Sequence, residues 1–316
     1  MAPIRALFLI GQTASGKGAA AFALARSIGA EIISLDSMKV YTGMDIGTAK
    51  PPPERLREVR HHMLDVAAPH EHFSTALYVA GAERAIEEIT SRGAVPLFAG
   101  GTALYLKAMT EGLFEGPSAD PELRAELRAE ATEHGTAHLH QRLADVDPDA
   151  AAKIHPNDMR RIERAIEVYE KTGTPISKLQ TQFGRASAKY DAVIMGLRRE
   201  KADLRERIER RVDAMMVAGL LEEVRRLASA PDPLGKAASQ SVGYKEMLAH
   251  LNGDCGLEEA VELLNIHTRQ LAKAQMTWFK RMENIKWFDV AADETAEHVA
   301  ERLAAFVSAA CSHLDR

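Results

Sequence analysis

The stretch "IRALFLIGQTASGKG", Ile4 to Gly18, constrains this chain more than any other. A continuous apolar run ending at Gly11 reads as a buried parallel strand, and "KGAAAFALARSIG" reads as a helix that stops at Gly29. Between them stand Gly11, four residues, Gly16 and Lys17, the spacing of a phosphate-binding loop. Its glycines let backbone N–H groups close around phosphate oxygens that a Cβ would obstruct. The helix N-terminus adds a positive dipole, and Lys17 a full charge. Gly11, Gln12, Thr13, Ala14, Ser15, Gly16, Lys17 and Gly18 are therefore the expected diphosphate- or nucleotide-binding residues. One position departs from the pattern. Gly18 stands where Ser or Thr would offer Mg²⁺ a hydroxyl, which leaves Thr13, Ser15 or a water to take that place.

The pattern continues as "AEIISLDS", a second buried strand ending at Asp36. A helix from Phe73 to Gly93 follows, capped by Ser74 or Thr75. "AVPLFAGG" is a third strand and "TALYLKAMTEG" the helix after it. Such alternation means a parallel sheet covered by helices on both faces. After "EGPSADP" the character changes, and from Pro121 to about Lys178 only helical periodicity is found. Strand character returns at Tyr190 to Arg198. One long helix through Ser229, a strand from Asn284 to Val290 and an amphipathic C-terminal helix complete the chain. The expected fold is α/β: a P-loop kinase-like parallel sheet flanked by helices, with an all-helical insertion domain. Residues 1–116 form the first part of the core, 117–189 the insertion, and 190–316 the second part with the C-terminal helices.

With 316 residues and a formal net charge of −5, the chain can meet a nucleic acid only through local basic faces. Arg160, Arg161 and Arg164 make one such cluster. Arg269, Lys273, Lys280 and Arg281 decorate a helix that also carries Trp278 and Phe279, both expected in the core. These clusters suit contacts to a phosphate backbone. Cys255 and Cys311 belong to no metal or redox spacing, as reduced thiols of a cytosolic protein would. No apolar run reaches a membrane-spanning length, so no membrane partner and a soluble, cytoplasmic protein are expected. His61, His62, Asp65, His70 and His72 match no zinc pattern, and packing accounts for them.

Asp36 closes a strand, where α/β folds place their chemistry, although "DS" is also capping chemistry. Thr102 opens a helix after Gly100 and Gly101 and is explained as a cap alone. Arg207 and Arg211 share one helix face among glutamates. On the loop alone, a nucleotide or small-molecule kinase that binds ATP is the starting reading.

Six further stretches shift that reading. "IISLDSMKVYTGMDIGTAKP", "HHMLDV", "AGGTALYLKAM", "NDMRRIERAIEVYEKTGTPIS", "SQSVGYKEM" and "TRQLAKAQMTWFKR" run in order to about Asp289. In that order they resemble the signatures of the tRNA dimethylallyltransferase family. The resemblance implies transfer of the dimethylallyl group of dimethylallyl diphosphate to N6 of the adenosine 3′-adjacent to the anticodon. It implies Mg²⁺, a tRNA anticodon stem-loop partner and, as the expected state, a monomer. In catalysis it implies Asp36 as general base, Thr102 at the diphosphate or amine, and an arginine on the diphosphate, Arg211 ahead of Arg207. Contacts to tRNA are implied for Asp36, Ser37, Met38, Lys39 and Thr102, for Arg160, Arg161, Ile162, Glu163 and Arg164, for Gln240, Gly243 and Tyr244, and for Lys273, Gln275, Lys280 and Arg281. Two alternatives stay open: a kinase that turns over without RNA, and a non-catalytic RNA-binding relative.

Overall fold

The structure is a computed structural model that describes residues 4–114, 116–180 and 190–312. In chain order its elements begin with β1 (Ile4–Gly11), α1 (Lys17–Ile28), β2 (Ala30–Leu35), α2 (Pro53–Glu58), β3 (His61–His62), α3 (Thr75–Ser91), β4 (Val95–Gly100) and α4 (Ala103–Glu111). Five helices follow: α5 (Pro121–His134), α6 (Thr136–Val146), α7 (Pro148–Ala151), α8 (Met159–Thr172) and α9 (Ile176–Leu179). Then come β5 (Tyr190–Arg198), α10 (Lys201–Val217), α11 (Leu220–Ala228), α12 (Lys236–Ser239), α13 (Tyr244–Leu251), α14 (Leu257–Phe279), β6 (Ile285–Asp289) and α15 (Ala296–Ser312). The chain divides into two compact units, Met1–Thr110 with Ala188–Arg316, and Glu111–Ser187. Residues 181–189, where the expected insertion ends, and the side chain of Cys311 lie outside the described residues.

The first unit carries a six-stranded sheet in the order β3-β2-β4-β1-β5-β6, with every pairing parallel. Because both sheet faces are covered, alternate residues of each strand feed two separate cores. Phe8, Ile10, Ile33, Leu35 and Phe98 pack with Tyr78, Ile86 and Leu106 of α3 and α4. Leu7, Leu9, Ile32, Leu97 and Met195 pack with Leu24 of α1 and Leu303 of α15. Each such fully buried side chain contributes roughly 1.5–3 kcal/mol relative to exposure. A third core, built from α10, α11, α13 and α14, gathers Val212, Leu220, Val224, Tyr244, Met247 and Leu264 around Tyr41 and Met44.

Two elements differ from the sequence reading. The two-residue strand β3 pairs with β2, Ile32 opposite His61 and Ile33 opposite His62, so the histidines extend the sheet edge. The long helix expected through Ser229 is two helices, broken where Gly219 takes φ 96°, a left-handed value that glycine adopts without a Cβ penalty. By contrast Ser74 caps α3 as read, its hydroxyl accepting from the Leu77 N–H at 3.2 Å.

The second unit is wholly helical among its described residues, around Leu127, Leu139, Leu143, Ile162, Ala165 and Ile166. Its charges are largely internal. Glu167 is fully buried and accepts from Arg124 at 2.7 Å, from the Asp120 N–H at 2.7 Å and from Arg164, while Glu163 accepts from Arg128 at 2.8 Å. Ile162 and Glu163, read from the sequence as tRNA contacts, are buried in this unit, and the half-buried Arg164 pairs with Glu167. Arg160 and Arg161 remain on its surface.

Candidate functional site: a cationic cradle at the strand ends

The loop between β1 and α1 sits at the carboxyl end of the sheet, where parallel α/β folds place ligands. Gly16 turns the chain into α1 with φ 91° and ψ 0°. Two arginines grip carbonyls of this loop. Arg199 donates from Nε to the Ser15 carbonyl at 2.9 Å and from Nη1 to Asp203 at 2.8 Å. Arg207 donates from Nε to the Ala14 carbonyl at 3.0 Å. In a trans peptide the N–H points opposite its C=O. Arg199, by holding the Ser15 carbonyl outward, thus aims the Gly16 N–H toward the cradle.

From the other side α14 braces the loop. Gln12 donates to the Ala272 carbonyl at 2.9 Å. The Gln275 side chain accepts from the Thr13 N–H at 2.7 Å and donates to the Gly101 carbonyl at 3.1 Å. One amide thereby ties the loop to the end of β4. The glycines there are steric necessities, since a Cβ on Gly100 would lie 2.0 Å from the Leu35 carbonyl oxygen.

A cavity of about 450 Å³ opens above the cradle. It is lined by Lys17 and Gly18 of α1, by Ser34, Asp36 and Lys39, by Gly47 to Lys50, by Arg207 and Arg211 of α10, and by Thr268, Leu271 and Gln275 of α14. Lys17 donates to the Gln12 carbonyl at 3.0 Å. Burial, reinforced by the charge of Arg211, presses its pKa down to about 7 against the pull of Asp36. Burial also lowers the pKa of Lys39, again opposed by Asp36, and that of Arg211. Arg211 donates to the Thr13 hydroxyl at 3.1 Å. An excess of desolvated cations around one carboxylate is a site prepared for a polyanion.

Asp36 shows both roles considered for it. Its Oδ1 accepts from the Met38 N–H at 2.9 Å and the Lys39 N–H at 3.3 Å, which fixes the carboxylate as a turn cap. Its other oxygen has no hydrogen-bond partner among the described residues, and the residue lines the cavity. Thr102 is placed differently from the expectation. It does not line the cavity, and its hydroxyl accepts from the Ser37 N–H at 3.0 Å. Thr102 thus positions the Asp36 turn. Ser37 likewise stays out of the lining, whereas Met38 and Lys39 are in it.

The two hydroxyls expected near a metal are differently disposed. The Thr13 oxygen already faces a guanidinium. Ser15 is 1% exposed and absent from the lining, and a Cβ on Gly11 would meet its hydroxyl at 2.9 Å. Around Gly18 the cradle is open, with no heavy atom within 4 Å of a Cβ built there. Open space beside an anion cradle and one carboxylate leaves room for a hydrated divalent cation.

The other candidate contacts divide by exposure. Gln240, Lys273, Lys280 and Arg281 are exposed. Tyr244 is fully buried and donates to Glu223 at 2.6 Å, so it supports structure rather than offering a ring to RNA. Gly243, at φ 99°, donates its N–H to Glu246 at 2.6 Å. Trp278 is 46% exposed, against the expected core position, while Phe279 is buried. The helix turns 100° per residue, so adjacent positions cannot both face inward at its edge. Of the histidine group, His61 pairs with the Val59 carbonyl at 2.8 Å, His62 with Glu31 at 2.8 Å, and Asp65 accepts from Lys50 at 2.5 Å.

Sequence reasoning missed Arg199 and Glu223. Glu223 is buried and gathers the N–H groups of Asp45, Ile46 and Gly47 at 3.0, 2.8 and 3.2 Å, besides the Tyr244 hydroxyl. It thereby holds the wall from Gly47 to Lys50 against the cavity. The only signal in the chain was an acidic residue on the apolar side of an amphipathic helix, which no spacing rule connects with residues 45–47.

Known proteins resemble this chain in sequence and in fold. The IPP transferase family profile matches residues 39–282. A tRNA dimethylallyltransferase of Symbiobacterium thermophilum is 46% identical over 93% of this chain and 92% of its own length. The crystal structure of the full-length tRNA isopentenylpyrophosphate transferase of Bacillus halodurans superposes with a TM-score of 0.71 at 38% identity, covering 96% of each chain. A eukaryotic dimethylallyltransferase acting on tRNA gives a TM-score of 0.83 at 26% identity, covering 98% of this chain and 80% of its own. Among the described residues no helix is long and apolar enough to cross a membrane.

Proposed function

The chain belongs to the IPP transferase family, and from that premise we propose that it transfers a dimethylallyl group from dimethylallyl diphosphate to N6 of the adenosine 3′-adjacent to the anticodon in tRNA, releasing diphosphate. The observation that carries the reading is one cavity shared by the anion cradle, Lys17, Arg211 and a carboxylate with a free oxygen. The Gly16 N–H, Lys17, Arg207 and Arg211 hold the diphosphate. As the allylic C–O bond breaks, its electron pair passes to the diphosphate oxygen, and these fixed donors stabilise the growing negative charge. N6 of the adenine forms the new bond to the allylic carbon. Its lone pair is delocalised into the ring, so loss of a proton to the free oxygen of Asp36 completes the step. A bound Mg²⁺, near Gly18 and Asp36, would supply further positive charge to the leaving group.

The RNA reaches this cavity as an unstacked loop base. Arg160 and Arg161 of the helical unit, and Lys273, Lys280 and Arg281 of the α/β unit, meet its phosphates without reading sequence. Replacing Arg160, Arg161, Lys280 and Arg281 by Ala reduces the slope of log affinity against log salt by about 0.7 per contact removed. An unchanged slope in fluorescence-anisotropy titrations of an anticodon stem-loop would exclude these residues from the interface. The function itself is tested with radiolabelled dimethylallyl diphosphate and tRNA. Label transferred to RNA without ATP is expected. ATP consumption without RNA would establish a kinase, and RNA retention without product a binding protein.

A further inference from the structure

The missing hydroxyl at position 18 leaves open which protein oxygen faces the metal. Gly18, Ala21 and Phe22, spaced as one helix face, line the cavity from α1. Ile32 and Ser34, alternate positions of β2, line it with Asp36 just past the strand end. The bare backbone of Gly18 and the side chain of Ser34 therefore border the same space. Ser34 is 4% exposed, and its hydroxyl has no hydrogen-bond partner among the described residues. A buried hydroxyl left unpaired is costly, and native structures retain one where a ligand or water completes it. The rival oxygens are engaged or hidden. The Thr13 hydroxyl lies 3.1 Å from the Arg211 guanidinium, whose charge opposes a second cation, and Ser15, whose hydroxyl is likewise without a partner among the described residues, does not line the cavity as Ser34 does.

We propose that the Ser34 hydroxyl, beside Asp36, supplies the protein oxygen to the shell of a hydrated divalent cation bridging the bound diphosphate, in place of the hydroxyl absent at Gly18. The inference rests on the diphosphate site proposed above and names a ligand for its metal. A hard cation of this class takes oxygen ligands, hydroxyl, carboxylate, phosphate and water among them.

The test uses the full-length chain, Mn²⁺ as a paramagnetic probe and inorganic diphosphate. Loss of the free Mn²⁺ electron paramagnetic resonance signal reports metal retention, and calorimetry without metal reports diphosphate binding. In the wild type, Mn²⁺ is retained when diphosphate is present. Ser34→Ala weakens that retention about tenfold, in line with the loss of a single oxygen ligand supported by its neighbours. Its metal-free diphosphate affinity stays the same. Adding Gly18→Thr to Ser34→Ala restores most of the retention, since no atom lies within 4 Å of a Cβ at position 18. The melting temperature of metal-free Ser34→Ala equals or exceeds that of the wild type, because the deleted hydroxyl had no protein partner.

Wild-type Mn²⁺ retention in Ser34→Ala would overturn the proposal. So would a lowered melting temperature, which reveals a structural partner for the hydroxyl, or a double variant no better than Ser34→Ala. If the wild type bound no diphosphate at all, the proposed leaving-group site would fall as well. Diphosphate binding with retention indifferent to Ser34 removes this inference alone.

Discussion

Asp36→Asn lowers prenyl transfer by about a thousandfold, as expected for loss of a positioned general base, while tRNA affinity stays near the wild-type value. The asymmetry follows from the division of labour between the two carboxylate oxygens. Oδ1 caps the turn through the Met38 and Lys39 N–H groups, and an Asn side-chain oxygen preserves that cap. The free oxygen becomes an NH₂ group, which cannot take a proton from N6. Asp36→Ala removes the cap as well, so it adds a loss of stability of about 1 kcal/mol to the loss of transfer. The two variants therefore separate chemistry from loop order. Single-turnover transfer at saturating donor, paired with filter binding of tRNA, makes the measurement. Turnover of Asp36→Asn within a few-fold of wild type would remove Asp36 from proton transfer. Parallel loss of RNA binding would make it a recognition residue instead.

Lys17→Met abolishes tight diphosphate binding and lowers transfer by a further order-of-magnitude class, about a hundred- to thousandfold, as expected for removing a charge aimed at a leaving group. Its pH dependence is the sharper signature. Burial brings the Lys17 pKa to about 7, so the amine loses its proton as pH rises through neutrality. A bound diphosphate favours the charged amine and raises that pKa. Between the two values binding takes up a proton, so affinity falls as pH rises above about 7. Lys17→Arg, whose guanidinium stays charged, removes this part of the slope. The titration of diphosphate itself is common to all three proteins and cancels in the comparison. Calorimetric titrations of inorganic diphosphate from pH 6 to pH 9, about two units above Lys17's value, provide the check. Identical slopes for wild type and Lys17→Arg would show that Lys17 is charged throughout.

Much of the candidate site was legible because its signals are local. The cradle needs a strand end, glycines at fixed offsets and a helix start, all within Ile4 to Gly18. Asp36 and the end of β4 announced themselves the same way, since apolar runs stop where parallel strands reach the ligand edge. The basic positions were legible as charges but not as contacts. Arg160 and Arg161 lie outside, whereas Arg164, four residues along one helix from Arg160, closes on Glu167. Charge reads from composition, but its partner depends on which helix packs opposite. The same reason explains Trp278 and Tyr244. Both belong to stretches with RNA-like signatures, and packing exposes one ring and buries the other.

Thr102 makes the contrast plainest. Its place after Gly100 and Gly101 marks a helix start, and capping chemistry would have been satisfied within α4. The hydroxyl instead accepts from Ser37 across the sheet end, 65 residues away in the chain. Ser34, Arg199, Glu223 and Gln275 are alike in this respect, each defined by partners, or by the lack of one, on distant segments. Backbone preference and apolar periodicity act over a few residues, so five of the six strands and the glycine loop between β1 and α1 could be read along the chain. Which hydroxyl is left unpaired, which arginine turns a carbonyl outward and which glutamate gathers a loop depend on desolvation and contact between segments far apart in sequence. Those forces have no value until the chain has closed on itself.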